Sequence, residues 1–396
     1  IFPLINCARL RKLFYLLFSL FFFLPPAKAQ IDSCTLRISL LTCSPGEELY
    51  STFGHTAVRV TDRSTGMDLV YNYGTFEFSP DFYAKFIQGK LRYYLSVEPF
   101  QDFLYAYQWE SRSVVEQVLQ LDCENRMALY HALRNNAQEE NKYYLYDFLF
   151  DNCTTRPKAL MQQTINDSIH WKNILPAETP TFRNLIHTYL DTGGQYWSKL
   201  GIDLLLGAKL DRKVTNHQAM FLPDYLLKGL DSATLNGQPF VTPPQPVLQM
   251  PSPLNKGSLF RPGVVFGILL LIIIALYVIK KEWAKKTLRA IDFTLFLLAG
   301  IVGLVLIYMW TGTDHVVTQN NYNLLWALPT HLVAAFMLGK NKKGLRLYFK
   351  AALLLHLLLL LLWAFLPQQL NGGFIYIVIM LAFASWRHSK HTQHAG

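Results

Sequence analysis

The stretch "FLFDNCTTRPKAL" sets Cys153 between Asn152 and a Thr154-Thr155 pair, where an apolar run passes into a sequence with helix-start character. Asp151, Asn152 and Thr154 are cap-type residues and Pro157 suits a first turn, so the thiol is expected at a helix N-terminus. The positive end of the helix dipole, with its free N–H groups, lowers a thiol's pKa towards the nucleophilic thiolate. Those N–H groups could also receive the oxyanion of an acyl-transfer intermediate. A buried free cysteine or half of a disulfide is the competing reading of this stretch.

A nucleophilic thiol needs a base, and "FGHTAVRVTDRSTGMDLVYNYG" offers one at the start of a β-hairpin. His55 opens an alternating segment, with Ala57 and Arg59 on one face and Val58 and Val60 on the other; "TDRSTGMD" is the turn and "LVYNYG" the return strand. Held by a sheet, His55 could take the proton of Cys153 while a polar residue of the return strand orients the ring. Asn72 is the first choice for that third role, with Tyr71 and Tyr73 as rivals.

The elements that must carry these residues follow from the pattern around them. "LRYYLSVEPFQDFLYAYQWESRSVVEQVLQL" reads as strand, helix-like middle and strand, and "ENRMALYHALRNNAQ" as an amphipathic helix. Aromatic-rich "NKYYLYDFLF" is expected as a strand leading into Cys153, either as core or as the lining of an acyl-chain groove. Glu98, Asp102, Glu110 and Glu116 are expected as solvated or paired surface charges. From His187 to about Leu230 the chain reads as helices with Gly-broken joints. Asp203, Asp211 and His217 lack a tight metal motif there, and neither a metal site nor a cofactor is expected.

The chain of 396 residues is 51% hydrophobic, too apolar for an ordinary soluble enzyme and too charged for a pure membrane bundle. "ARLRKLFYLLFSLFFFLPPAKAQ" has the basic start, short apolar run and A-x-A site of a secretory signal peptide over 1–29. Residues 30–250 have globular composition and form an exported domain with a helical C-terminal extension. A Pro-rich linker over 251–263 follows.

Five apolar stretches then lie within a membrane domain over 264–387, at 264–279, 290–310, 324–338, 347–366 and 374–386. Each approaches the roughly 20 residues that about 30 Å of hydrocarbon requires. "KKEWAKKTLR" and "GKNKKGLR" are strongly basic, whereas "TGTDHVVTQNNYN" and "PQQLNGG" hold no Lys or Arg. The positive-inside rule therefore keeps the basic loops and the 388–396 tail in the cytoplasm and the 30–250 domain outside. Much of the +10 net charge belongs to this topology, so no nucleic-acid partner is inferred. Of the five cysteines, Cys34, Cys43, Cys123 and Cys153 follow the signal; three pairings are open if all are oxidised, and one thiol is odd if Cys153 stays reduced.

A strand-borne His followed much later by a Cys in "DNC" resembles the circularly permuted NlpC/P60 branch of papain-like enzymes. "LLTCSPGEELYSTFGHTAVRV", "YNYGTFEF", "FDNCTTRP", "MFLPDYLL" and "TDHVVTQNNYNLLWALPTHLV" together resemble the Lnb family of Bacteroidetes lipoprotein N-acyltransferases. The resemblance implies an α+β, permuted papain-like (NlpC/P60-type) periplasmic domain followed by an all-α domain of five transmembrane helices in the inner membrane. It also implies transfer of an acyl chain from a phospholipid donor to the α-amine of diacylated lipoproteins. Cys153, His55 and Asn72 are then the expected catalytic residues, and Tyr71, His315 and Asn321 the expected substrate contacts. A periplasmic cysteine peptidase of cell-wall peptides is the alternative enzyme, and a lipoprotein-binding scaffold the non-enzymatic one.

Overall fold

The computed structural model describes residues 34–77, 80–165, 168–251, 260–340 and 342–390. The expected signal peptide, most of the linker and residues 391–396 lie outside the described residues.

Alternating apolar and polar residues build the first strands: β1 (Leu36–Cys43), β2 (His55–Asp62) and β3 (Met67–Thr75). A short helix α1 (Phe82–Gln88), β4 (Arg92–Pro99), α2 (Phe100–Trp109) and β5 (Val114–Val118) come next. Then follow α3 (Cys123–Asn136), β6 (Tyr143–Leu145), α4 (Thr155–Thr164) and β7 (Ile169–His170). The remainder of the domain comprises α5 (Phe182–Thr192), α6 (Tyr196–Leu205), α7 (Asn216–Ala219), α8 (Pro223–Ser232), β8 (Thr234–Leu235), β9 (Gln238–Pro239) and β10 (Gln245–Leu248).

Seven strands form one antiparallel sheet in the order β10-β5-β1-β2-β3-β4-β6, which places β2 and its His55 at the centre. One face presents Leu41, Cys43, Ala57, Val70 and Val114 to Phe100, Phe103 and Tyr107 of α2. Full burial of each large side chain contributes about 1.5–3 kcal/mol. The other face is covered by α3, with Asn136 Nδ2 donating to the Tyr73 hydroxyl at 2.9 Å. Two features differ from expectation. Glu116 is buried, not a surface charge: it accepts from Arg37 and Arg59, at 3.2 and 3.3 Å, and the Arg59 guanidinium also stacks 3.4 Å over the Phe100 ring. The aromatic run before Cys153 yields only the three-residue β6, after which Asp147 Oδ1 accepts the N–H groups of Leu149 and Phe150 and turns the chain.

The membrane part contains α9 (Pro262–Ile279), α10 (Glu282–Thr311), α11 (Thr330–Phe336), α12 (Lys343–Leu361) and α13 (Gly373–Ser389). Among the described residues α9, α10 and α12 are long and apolar enough to cross a membrane, and α13 is a shorter apolar helix. The expected span at 324–338 is not a continuous helix. Pro329 stands at the N-cap of a seven-residue α11, whose rise of about 10 Å cannot cross the hydrocarbon alone. This segment lies against α10 because α10 has no side chains at Gly300 and Gly303. A Cβ there would run into the Leu332 backbone or the Ala327 carbonyl.

Side-chain amides join the two parts. Asn321 Nδ2 donates to the Leu204 and Leu205 carbonyls at 2.7 and 3.1 Å, and Asn323 Nδ2 to the Asp203 carbonyl at 2.9 Å. Gln368 and Asn371 add bonds to the Leu206 carbonyl and the Asp203 carboxylate at 3.0 and 2.8 Å. Beneath them lies Arg183, which is fully buried and ion-paired to Asp203 and Asp211 at 2.7 and 2.9 Å. Asp203 and Asp211, weighed as metal ligands, are thus occupied by a guanidinium.

Candidate active site

Cys153 immediately precedes the N-cap residue Thr154 of α4 and is only 8% exposed. Asn152 builds that junction: its Oδ1 accepts the N–H groups of Thr154 and Thr155, both at 2.8 Å. Its Nδ2 donates to the carbonyls of Phe148 and Phe221 at 2.7 and 3.0 Å. The helix start is where the cap-type residues place it, but these two N–H groups are spent on Asn152 and are not open to an oxyanion.

At the sulfur, the described partners are the His55 ring, the Thr56 N–H, the Thr154 hydroxyl at 3.8 Å and the Tyr146 hydroxyl. The ring nitrogen facing the thiol follows from the far side of the imidazole. His55 Nε2 is 2.6 Å from Asn72 Oδ1, and Asn72 Nδ2 donates to Glu98 Oε1 at 3.0 Å. A carboxylate only accepts, so Asn72 must turn its amino group to Glu98 and its carbonyl to His55. Nε2 therefore carries the proton it donates, and Nδ1 is left for Cys153. Tyr107 stacks on the other side of the imidazole, with centroids 6.5 Å apart and planes at 21°.

Room for this meeting is made by Gly74. It occupies a bulge where the β3–β4 register shifts between Tyr73 and Thr75, at φ +94°, a conformation L side chains rarely adopt. A Cβ built on it would lie 3.5 Å from Cys153 Cβ, 3.6 Å from the Tyr146 ring and 4.0 Å from His55 Cε1.

The electrostatics match the geometry. Burial pushes the Cys153 thiol up, but the His55 charge and hydrogen bond, with the Thr56 N–H and Thr154 hydroxyl, outweigh it and bring the group down to about 7. Burial works against a charged His55 as well, yet the adjacent sulfur and Asn72 raise its pKa overall. Among the described residues the other free thiol, Cys43, lies next in register to His55 and is driven by burial in the opposite direction, up to about 12. Cys34 and Cys123 are disulfide-bonded.

The structure thus brings Cys153, His55 and Asn72 together and adds Glu98, Gly74, Tyr146 and Thr56, which sequence reasoning did not assign. Glu98 had been expected at the surface. No local pattern marks it: it comes to face the same way as Asn72 only through the β3–β4 pairing, where Val70 opposes Glu98 and Asn72 opposes Ser96. The three expected substrate contacts lie elsewhere. Tyr71 is buried on the opposite face of β3 from Asn72, because adjacent strand residues alternate. Asn321 is consumed by the α6 carbonyls. His315 Nε2 donates to the Phe86 carbonyl at 2.9 Å, tying the loop after α10 to α1. A separate cavity of about 460 Å³, lined by residues including Lys199, Arg261, Asn371 and Tyr376, lies where the domain meets α9 and α13 and touches neither Cys153 nor His55. Among the described residues no group of three or more His, Cys, Asp or Glu side chains gathers to hold a metal ion.

An α+β domain with a buried cysteine beside a half-buried histidine, joined to a helical membrane domain, defines a multi-pass membrane protein with a thiol site. Its family is given by two matches: residues 23–188 match the Lnb N-terminal periplasmic domain, and residues 254–395 match the Lnb transmembrane domain. The chain belongs to the Lnb family. No curated protein and no solved structure matches it.

Proposed function

We propose that this chain is a lipoprotein N-acyltransferase. In this reading it moves a fatty acyl chain from a phospholipid, through a Cys153 thioester, to the α-amine of the lipidated N-terminal cysteine of exported lipoproteins. Membership of the Lnb family supports a membrane enzyme that processes lipoproteins. The observation that carries the reading is the Cys153–His55–Asn72 constellation in a periplasmic domain fused to membrane spans. We read the sheet, with His on a central strand and Cys before a later helix, as a permuted papain-like arrangement in the inner membrane with a cytoplasmic C-terminus.

In the first half-reaction the Cys153 thiolate attacks an ester carbonyl of the phospholipid. The Sγ–acyl bond forms, the ester C–O bond breaks, and protonated His55 gives its Nδ1 proton to the leaving lysolipid. The Tyr146 hydroxyl, beside the sulfur, is the side-chain donor placed to share the oxyanion's charge. In the second half-reaction the lipoprotein amine attacks the thioester, neutral His55 takes up the amine proton, and the thiolate is released.

The test is complementation of a strain lacking this protein with wild type, Cys153→Ala or His55→Ala, with lipoprotein N-termini read by mass spectrometry. Wild type is expected to restore the amide-linked chain and both variants to leave the amine free. Full acylation by either variant removes that residue from the mechanism. Incubation of the purified protein with muropeptides, which should remain intact, separates transfer from peptidase action.

A further inference from the structure

A continuous row of aromatic rings leads away from the thiol. Tyr146, whose ring lies with Cys153 around Gly74, packs on Tyr93 with centroids 4.4 Å apart. Tyr93 meets Phe76 at 5.4 Å, Phe76 meets Phe82 at 5.5 Å, and Phe82 stacks on Phe86 at 6.3 Å with planes at 9°. Tyr146, Tyr93 and Phe76 are half-buried and Phe82 is buried, so the row is partly exposed over its first three rings and covered at Phe82. It ends on α1, where Phe86 and Ile87 are 52% and 48% exposed.

The position of α1 gives that exposure a meaning. The N–H of Asp314 donates to the Gln88 carbonyl at 3.0 Å and His315 donates to the Phe86 carbonyl, so α1 is held against the loop that follows the membrane-spanning α10. Large apolar side chains displayed at the end of a membrane span lie at the lipid boundary, where exposure to water is avoided. One end of the stripe is therefore at the Cys153 thiol and the other beside the loop that ends α10.

We propose that this stripe is the track by which the acyl chain of a membrane lipid reaches Cys153, with Phe86 and Ile87 entering the outer face of the bilayer. The inference rests on the transferase reading and specifies its lipid-entry site. A polar peptide substrate would gain little from a row of rings; an acyl chain gains contact along its whole length while its ester carbonyl comes to the sulfur. The covalent step is unchanged: the Sγ–acyl bond forms, the ester C–O bond breaks, and the proton on His55 leaves with the lysolipid.

The test compares two acyl donors on the full-length protein in phosphatidylethanolamine vesicles: the long-chain lipid itself, and soluble p-nitrophenyl acetate. Acylation of Cys153 is followed by intact mass. In the Phe86→Asp, Ile87→Asp double variant the ratio of the long-chain rate to the acetyl rate is expected to fall at least about tenfold. Phe86→Leu, which keeps the surface apolar, is expected to hold that ratio within about twofold of wild type. Should the double variant not reach the membrane, Phe86→Ser alone is read by the same ratio. An unchanged ratio, including an equal loss with both donors, overturns the inference alone. A wild-type protein that accepts no acyl group from the lipid contradicts the transferase reading, and the lipid track with it.

Discussion

Asn72 Oδ1 accepts the Nε2 proton of His55 at 2.6 Å, and this bond decides which face of the imidazole meets the thiol. Glu98 fixes the amide that makes it, so orientation passes from a carboxylate through an amide to the base. Asn72→Ala should leave Cys153 in place yet free the ring to rotate. A misplacement of about 1 Å costs on the order of 100-fold, so kcat for acyl transfer should fall by that order with the fold retained. Glu98→Gln keeps the size but lets the Asn72 amide flip, and should lose less. Rates for both variants, beside thermal unfolding, check this; an Asn72→Ala enzyme of wild-type rate contradicts the orienting role.

The pKa directions around the pair fix a pH profile. A thiolate at Cys153 is present above about pH 7 and lost as pH falls through that value, so alkylation by iodoacetamide should rise with a midpoint near 7. His55→Ala removes the charge and hydrogen bond that outweigh burial, so the midpoint should move above the ordinary thiol value of about 8.5. Peptide mapping should show Cys43 unlabelled at neutral pH, since burial holds its thiol protonated. A midpoint unmoved in His55→Ala contradicts the pairing.

Gly74 should resist substitution out of proportion to its size. Gly74→Ala places a Cβ at ordinary contact distance from Cys153 but forces an L residue to φ +94°. The strain costs about 1–2 kcal/mol. Thermal unfolding should show that loss, and the displaced bulge should slow Cys153 alkylation. Unchanged stability and labelling in the variant would mean that the bulge needs no glycine.

The junction with the membrane domain hangs on Arg183. Arg183→Met leaves Asp203 buried without its guanidinium, a change that costs about 3–5 kcal/mol. Burial alone would raise the Asp203 carboxyl, but His187, Arg183 and Asn371 lower it overall. A group with a depressed folded pKa stabilises the fold above the ordinary carboxylate range, about 3.9 for Asp, and loses that contribution as pH falls below it. Wild type should therefore lose stability as the solution is acidified through that range, and Arg183→Met should lose much of its stability already at neutral pH. Unfolding curves in detergent at neutral pH and below about pH 4 check this.

Much of the fold was legible because period-2 alternation and turn residues are local signals. The His55 hairpin, the strand–helix–strand after it, the helix over 123–136 and the helix start at Cys153 all arise from residues within a few positions of one another. Long-range partnerships were not legible. Glu116 looks like any surface glutamate until β1 and β2 bring Arg37 and Arg59 to it, and Glu98 acquires its role only when β4 pairs with β3. Hydropathy counted 324–338 as a span because it measures composition; Pro329 and the amides of Asn321 and Asn323 make that segment a clasp on the periplasmic domain. Of the expected site, Cys153, His55 and Asn72 come together, whereas Tyr71 lies on the other face of β3 and His315 and Asn321 are held by backbone bonds of their own.

The central claim is a covalent one, and trapping the intermediate tests it most directly. The purified protein is incubated with phospholipid alone, the Cys153 peptide is measured by mass spectrometry, and a diacylated lipopeptide with a free α-amine is then added. The mechanism predicts a hydroxylamine-sensitive acyl group on Cys153 that disappears as the amide product forms. Amide formation by Cys153→Ala, or in wild type with no acyl group ever carried on Cys153, would contradict it.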